Sequence, residues 1–142
     1  DVGQKVVVLG GAFWDVDTAV ALARRGKDVT LVRETPGLAP DLGYCRTMAF
    51  MTGMLEESGT KPLFQTAVEE IGEAGVRVCV ASGKTQVLQA DTVVLAMGRV
   101  PRRGLADALR GKVDELYEVG DCAKASNVAD AVHAARLLGN RV

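Results

Sequence analysis

A chain of 142 residues is long enough for one sizeable hydrophobic core and little more. Hydrophobic residues make up 48% and aromatics only 4%, so that core must be aliphatic. A net charge of −1 argues against nucleic acid or an anionic membrane surface as the main partner, and no apolar run reaches the ~20 residues of a membrane span.

In chain order, Lys5-Val6-Val7-Val8-Leu9 is an unbroken aliphatic run, as expected of a parallel strand covered on both faces. Gly10-Gly11-Ala12 interrupts it. The apolar positions Val16, Ala19, Val20 and Ala23 then form a helical stripe that Gly26 closes. Asp28-Val29-Thr30-Leu31-Val32 is the second strand, completing a β-α-β unit of about thirty residues, enough for a right-handed crossover. Residues 36–40 read as loop, and residues 46–58 as a Met- and Leu-rich helix stopped by Gly59. After Pro62 the texture changes. Residues 66–71, 76–81 and 85–88 are short runs separated by Glu73-Ala74-Gly75 and Ser82-Gly83-Lys84, the spacing of an antiparallel meander. Residues 91–97 return to the buried parallel type and end at Gly98. A polar connection with one helical turn (101–112), a strand (116–119) and a helix (about 126–138) finish the chain. The predicted fold is α/β: a three-layer Rossmann-like dinucleotide-binding domain with a parallel sheet, crossover helices and a small antiparallel β-meander.

The turn after the first strand invites comparison with Gly-x-Gly-x-x-Gly, whose glycines allow a tight turn and close approach to a pyrophosphate. Here it reads Gly10-Gly11-Ala12-Phe13-Trp14-Asp15, with only the first glycine in place. Ala12 adds one methyl group. Asp15 is the larger departure, because it sets a carboxylate at the helix N-terminus, where a phosphate would use the N–H groups and the dipole. Two readings stay open: a degenerate nucleotide loop formed by Gly10, Gly11, Ala12, Phe13 and Trp14, or a structural helix cap with Trp14 packed on the loop.

Cofactor choice is written at the end of the second strand, where Arg33 and Glu34 stand. An arginine would hold a 2′-phosphate and an acid would bind a ribose hydroxyl. Arg33 directly follows the aliphatic run and tilts the reading toward NADP; two solvated edge charges are the alternative. In Ala96-Met97-Gly98-Arg99-Val100-Pro101, Gly98 lets the chain pass close beneath a nucleotide and Pro101 fixes its exit. Leu116-Tyr117-Glu118-Val119-Gly120-Asp121-Cys122 repeats the theme. Gly120 permits close approach, Asp121 offers a carboxylate to hydroxyl groups, and the next helix points its positive end at the same place. An ordinary strand-turn-helix is the other reading. Arg99, Arg102 and Arg103 are expected to be solvated, and His133 is given no role. Cys45, Cys79 and Cys122 are odd in number and lack a Cys-x-x-Cys pair, which fits buried or half-buried thiols in a reducing cytoplasm and gives no metal site.

On Lys5 to Glu34 with Asp17-Thr18-Ala19, on Val93 to Pro101, and on Leu116 to Ala135 with Asp130-Ala131-Val132-His133, the chain resembles the C-terminal half of the NADH:flavin oxidoreductase/2,4-dienoyl-CoA reductase family, whose relatives include trimethylamine dehydrogenase and 2-enoate reductases. The resemblance implies an NAD(P)-binding-type domain (residues 1–100) inserted in an FAD domain, with residues 101–142 as the returning segment of the latter. It implies NAD(P)H at the Gly10 turn and the ribityl chain and ring of FAD at Gly120 and Asp121. Hydride would pass from NAD(P)H to FAD, and electrons onward through a 4Fe–4S cluster to FMN in a barrel that reduces an enoyl substrate. Neither the barrel, the cluster ligands nor the FAD phosphate loop is present in these residues. The expected partners are therefore the FAD and barrel domains of a larger flavoenzyme, and the chain alone is expected to be inactive. The altered glycines match relatives in which this domain is a structural or ADP-binding remnant. A fragment of an NAD(P)H:disulfide reductase or NADH oxidase is a third reading.

Overall fold

The computed structural model describes residues 1–10, 12–38 and 45–142, apart from the side chains of residues 13, 45 and 46. They form two compact units, Asp1–Gly98 and Arg99–Val142. The first contains β1 (Lys5–Leu9), α1 (Phe13–Arg24), β2 (Asp28–Val32), α2 (Cys45–Ser58), β3 (Lys61–Leu63), β4 (Thr66–Gly72), β5 (Gly75–Val80), β6 (Thr85–Leu88) and β7 (Thr92–Leu95). Four strands make a parallel sheet in the order β3-β2-β1-β7, and β4-β5-β6 make the antiparallel meander.

The period-two rule of strands explains why the run 5–9 is unbroken. Val6 and Val8 of β1, with Val29 and Leu31 of β2, face the helices and meet Val16, Ala19 and Val20 of α1 and Met51 and Leu55 of α2. Val7, Leu9 and Val32 face the other way and pack on Val76 and Val78 of β5. Both faces of β1 are thus inside, in a three-layer stack of helices, parallel sheet and meander. Burying each such side chain contributes about 1.5–3 kcal/mol.

The short strand β3 is absent from the sequence reading, because Pro62 hides it. Proline cannot donate to a ladder and is confined to edges. Here it lies in the edge strand, where Lys61, Pro62 and Leu63 oppose Thr30, Leu31 and Val32.

The second unit contains α3 (Gly104–Leu109), a 3-10 turn at Gly120–Cys122 and α4 (Val128–Gly139). The strand expected at residues 116–119 is not formed. Val119 is extended (φ −138°, ψ 154°), yet the segment has no ladder partner among the described residues, and β-propensity without a neighbouring strand makes no sheet. Helix α4 starts where Asn127 caps it, its Oδ1 accepting the Asp130 N–H at 2.9 Å. No residue from 99 to 142 is buried. Within this unit Arg99 pairs with Asp121 at 2.7 Å, and Glu118 is flanked by Arg103 at 3.6 Å and Arg110 at 3.2 Å. Arg99 and Arg103 are thus ion-paired rather than merely solvated, although surface pairs of this kind are worth only ~0–1 kcal/mol. No helix among the described residues is long and apolar enough to cross a membrane.

Candidate functional site

Strand order decides where a ligand can sit. From β1 the chain moves to β2 on one side and later returns to β7 on the other, so the order reverses at β1. In open parallel sheets the crevice outside the carboxyl ends of the strands at such a reversal is the ligand site. A cleft of about 280 Å³ lies there, with Leu9, Val32 and Val68 among its apolar lining. It brings together six of the residues singled out in the sequence: Gly10, Ala12, Asp15, Arg33, Glu34 and Gly98. Its volume is just under the ~300–1,000 Å³ usual for small-molecule sites.

The other members of the glycine loop are placed differently. Gly11 lies outside the described residues. Phe13 contributes its backbone to the first turn of α1. Trp14 is 62% exposed. It stands two residues before the buried Val16, about 200° around the helix, and so points away from the sheet.

At the mouth of α1, Asp15 takes the place of an external anion. Its carboxylate Oδ2 accepts the N–H of Ala12 at 2.7 Å, and the side chain is 6% exposed. Ala12, at the N-cap, has no side-chain acceptor to return the bond, so this is half of a capping box. The same carboxylate explains Gly10. A Cβ on residue 10 would lie 2.5 Å from Asp15 Oδ2 and 2.5 Å from the Ala96 carbonyl oxygen. Gly10 is therefore demanded by packing between β1, β7 and Asp15. Gly98, in contrast, has open space around it but adopts φ +108°, a conformation that disfavours side chains.

At the end of β2 the backbone of Arg33 is held on both sides. Its N–H donates to the Leu63 carbonyl and its own carbonyl accepts from Thr66, both at 2.9 Å. Its side-chain Nε donates to the Thr35 hydroxyl, which in turn donates to the Gly37 carbonyl at 3.1 Å. Arg33 is half-buried and Glu34 exposed. Thr35 and Thr66 also line the cleft and were missed in the sequence. The signal for Thr35 was present, since on an extended chain residues i and i+2 share a side. Thr66 is placed there by the path of β4, which local sequence does not reveal.

In the second unit Gly120 opens the 3-10 turn and Asp121 follows it. One Asp121 oxygen is paired with Arg99 and the other accepts the Ser126 N–H at 3.2 Å. A carboxylate has about four acceptor positions, so capacity for ligand hydroxyls remains. Cys79 and Cys122 are free thiols. Among the described residues no group of His, Cys, Asp and Glu side chains could hold a metal ion.

The profile of the pyridine nucleotide-disulphide oxidoreductase family matches residues 1–137. The chain belongs to that family. It is 32% identical to a metal reductase of Desulforamulus reducens over 94% of the chain and 24% of the relative. It is 30% identical to an NADH oxidase of Thermoanaerobacter brockii over 93% of the chain and 20% of the relative. Among solved structures it is similar to 2-naphthoyl-CoA reductase in complex with 2-naphthoyl-CoA, at 28% identity and a TM-score of 0.87, over 100% of this chain and 22% of that one. The chain thus spans about a quarter or less of the length of each of these three proteins. These family relatives are oxidoreductases by name.

Proposed function

We propose that this chain is the pyridine-nucleotide-docking part of a larger flavin-dependent oxidoreductase of the NADH:flavin oxidoreductase/2,4-dienoyl-CoA reductase type. In this reading NAD(P)H lies over the carboxyl end of β1 and gives hydride to FAD. The observation that carries it is the cleft at the strand-order reversal, lined by Gly10, Ala12, Arg33, Glu34 and Gly98, in a chain of a pyridine-nucleotide family. The adenosine end of a nucleotide fits: an apolar lining for the base, and Arg33 and Glu34 for the ribose. The pyrophosphate end fits less well, because Asp15 already occupies the Ala12 N–H.

Residues 99–142 are read as the returning segment of an FAD domain, with Gly120 and Asp121 facing the ribityl chain. Their lack of any buried residue supports this, as does the exposure of Val100 (88%), Leu105 (75%) and Val128 (80%), apolar surface that calls for a covering partner. The rest of the parent, with its FAD and barrel domains, FMN and 4Fe–4S cluster, would supply that cover and the final electron transfer. The likeness to 2-naphthoyl-CoA reductase, over all of this chain and 22% of that one, favours an acyl-CoA-type parent. An NADH oxidase parent suits the same cleft, since hydride delivery is alike whatever the flavin reduces next. The cap formed by Asp15 favours a second reading, a domain kept for structure after losing its nucleotide.

Calorimetric titration with NADH and NADPH separates the two. Saturable binding is expected. Asp15→Gly should tighten it by about 0.3–2 kcal/mol, because a negative charge leaves the helix N-terminus. No heat from either nucleotide with either protein establishes the structural reading, and tighter binding by the original chain refutes the role given to Asp15.

A further inference from the structure

We propose that Arg99 is a positioning residue for the Gly120–Asp121 turn, aiming the Asp121 carboxylate at the hydroxyls of the ribityl chain of FAD. This rests on the reading of residues 99–142 as the returning segment of an FAD domain and deepens it, naming what holds the acceptor in place. A closed ring of bonds carries it. Nη1 of Arg99 donates to Asp121 Oδ2 at 2.7 Å, and Nη2 donates to the Ser126 carbonyl. The other Asp121 oxygen, Oδ1, accepts the Ser126 N–H at 3.2 Å. One guanidinium thus joins the turn to the residue before the Asn127 cap of α4, its planar fork spanning a carboxylate and a backbone carbonyl. The start of the turn is fixed separately: Gly120 has φ +71°, and a Cβ there would lie 3.7 Å from the Ala131 methyl group of α4. Each carboxylate oxygen carries one of these bonds, and with about four acceptor positions in all, each keeps a direction for a ligand hydroxyl. Asp121 lines a cleft of about 370 Å³ together with Arg99, Arg102 and Cys122. Without Arg99 the Ser126 N–H alone would tether the carboxylate, and a ligand would have to order it on binding. The ion pair is half exposed on both sides (48% and 57%), and pairs of that kind add little to folding stability. Its effect is therefore expected on ligand affinity and not on the fold.

The test uses the complete flavoenzyme of the proposed reading, with FAD as the probe, and follows the quenching of flavin fluorescence as the apoprotein is reconstituted. Asp121→Ala should weaken FAD by ~10- to 100-fold, the ratio that a charge-assisted contact provides. Arg99→Ala should weaken it by ~2- to 10-fold, the equivalent of one ordinary hydrogen bond. Arg99→Lys should restore part of that loss, since the charge remains and the fork is lost. In an Asp121→Ala background Arg99→Ala should change nothing further, because the group it positions is gone. Thermal melts of the apoproteins should coincide for the original and both Arg99 variants. If Asp121→Ala weakens FAD but Arg99→Ala does not, or does so equally in both backgrounds, the flavin reading of the turn stands and the positioning role is wrong. A melt lowered by Arg99→Ala without rescue by lysine would make the residue structural and overturn the proposal. Tighter binding by Arg99→Ala would overturn it too, since the guanidinium would then compete with the hydroxyls for the carboxylate. If Asp121→Ala leaves FAD affinity unchanged, or the complete protein takes no FAD, the flavin reading of the turn fails and the proposal falls with it.

Discussion

Gly10 and Asp15 form one packing unit, and each constrains the other. In a dinucleotide loop the first glycine serves the turn; here a Cβ on it would also strike Asp15 Oδ2 and the Ala96 carbonyl, both at 2.5 Å. Gly10→Ala should therefore destabilise the chain by about 1–3 kcal/mol, the usual cost of overpacking. Chemical denaturation should show this as a lower midpoint. Adding Asp15→Ala should recover only part of the loss, because the Ala96 carbonyl stays and the bond from the Ala12 N–H is given up, itself worth about 0.5–2 kcal/mol. Full recovery in the double variant would mean that the carboxylate alone dictates glycine at residue 10.

Helix α2 displays the division between buried and exposed faces most simply. Leu55 is 2% exposed in the helix-side core, whereas Phe50, on the same helix, is 66% exposed. Leu55→Ala should cost about 2–5 kcal/mol through lost burial and a residual cavity. Phe50→Ala should fall within about 0.5 kcal/mol of the original chain, despite removing more atoms. Urea denaturation of both variants tests this, and a large effect at Phe50 would show that its ring is covered in solution. On the opposite side of the sheet the meander supplies Val76 and Val78. That closes the face where many doubly wound domains place helices and leaves β4 to contribute Thr66 and Val68 to the cleft.

The two units differ in what can hold them. In Asp1–Gly98 aliphatic side chains are buried on both faces of a parallel sheet, whereas Arg99–Val142 has short helices, exposed ion pairs and no buried residue. Local stability follows buried contacts. Hydrogen exchange of the isolated chain should show slow amides in Val6–Leu9 and Val29–Val32 and fast ones throughout α4. Equal protection of α4 would contradict this account of the second unit. Protection gained there when the rest of a parent flavoenzyme is supplied would support the reading of its exposed valines and leucines as a docking face.

The β-α-β opening, the meander and the closing helix were legible in the sequence because each rests on local pattern: aliphatic runs, the 16-19-20-23 stripe, and glycine-rich turns. The likeness to a pyridine-nucleotide family was legible for the same reason, being carried by strand-Gly-helix signatures. Even the conflict at Asp15 could be read from its place at the start of α1. Tertiary structure decided the rest. Strand β3 exists because β2 offers an edge to a proline-bearing segment, and residues 116–119 remain unpaired because no strand lies beside them among the described residues. The cleft combines the ends of β1, β2 and β7 with β4, segments up to about ninety residues apart, and only the strand order places them together. Composition and periodicity fix which residues enter a core, whereas the neighbours across a sheet end are set by how the chain closes on itself.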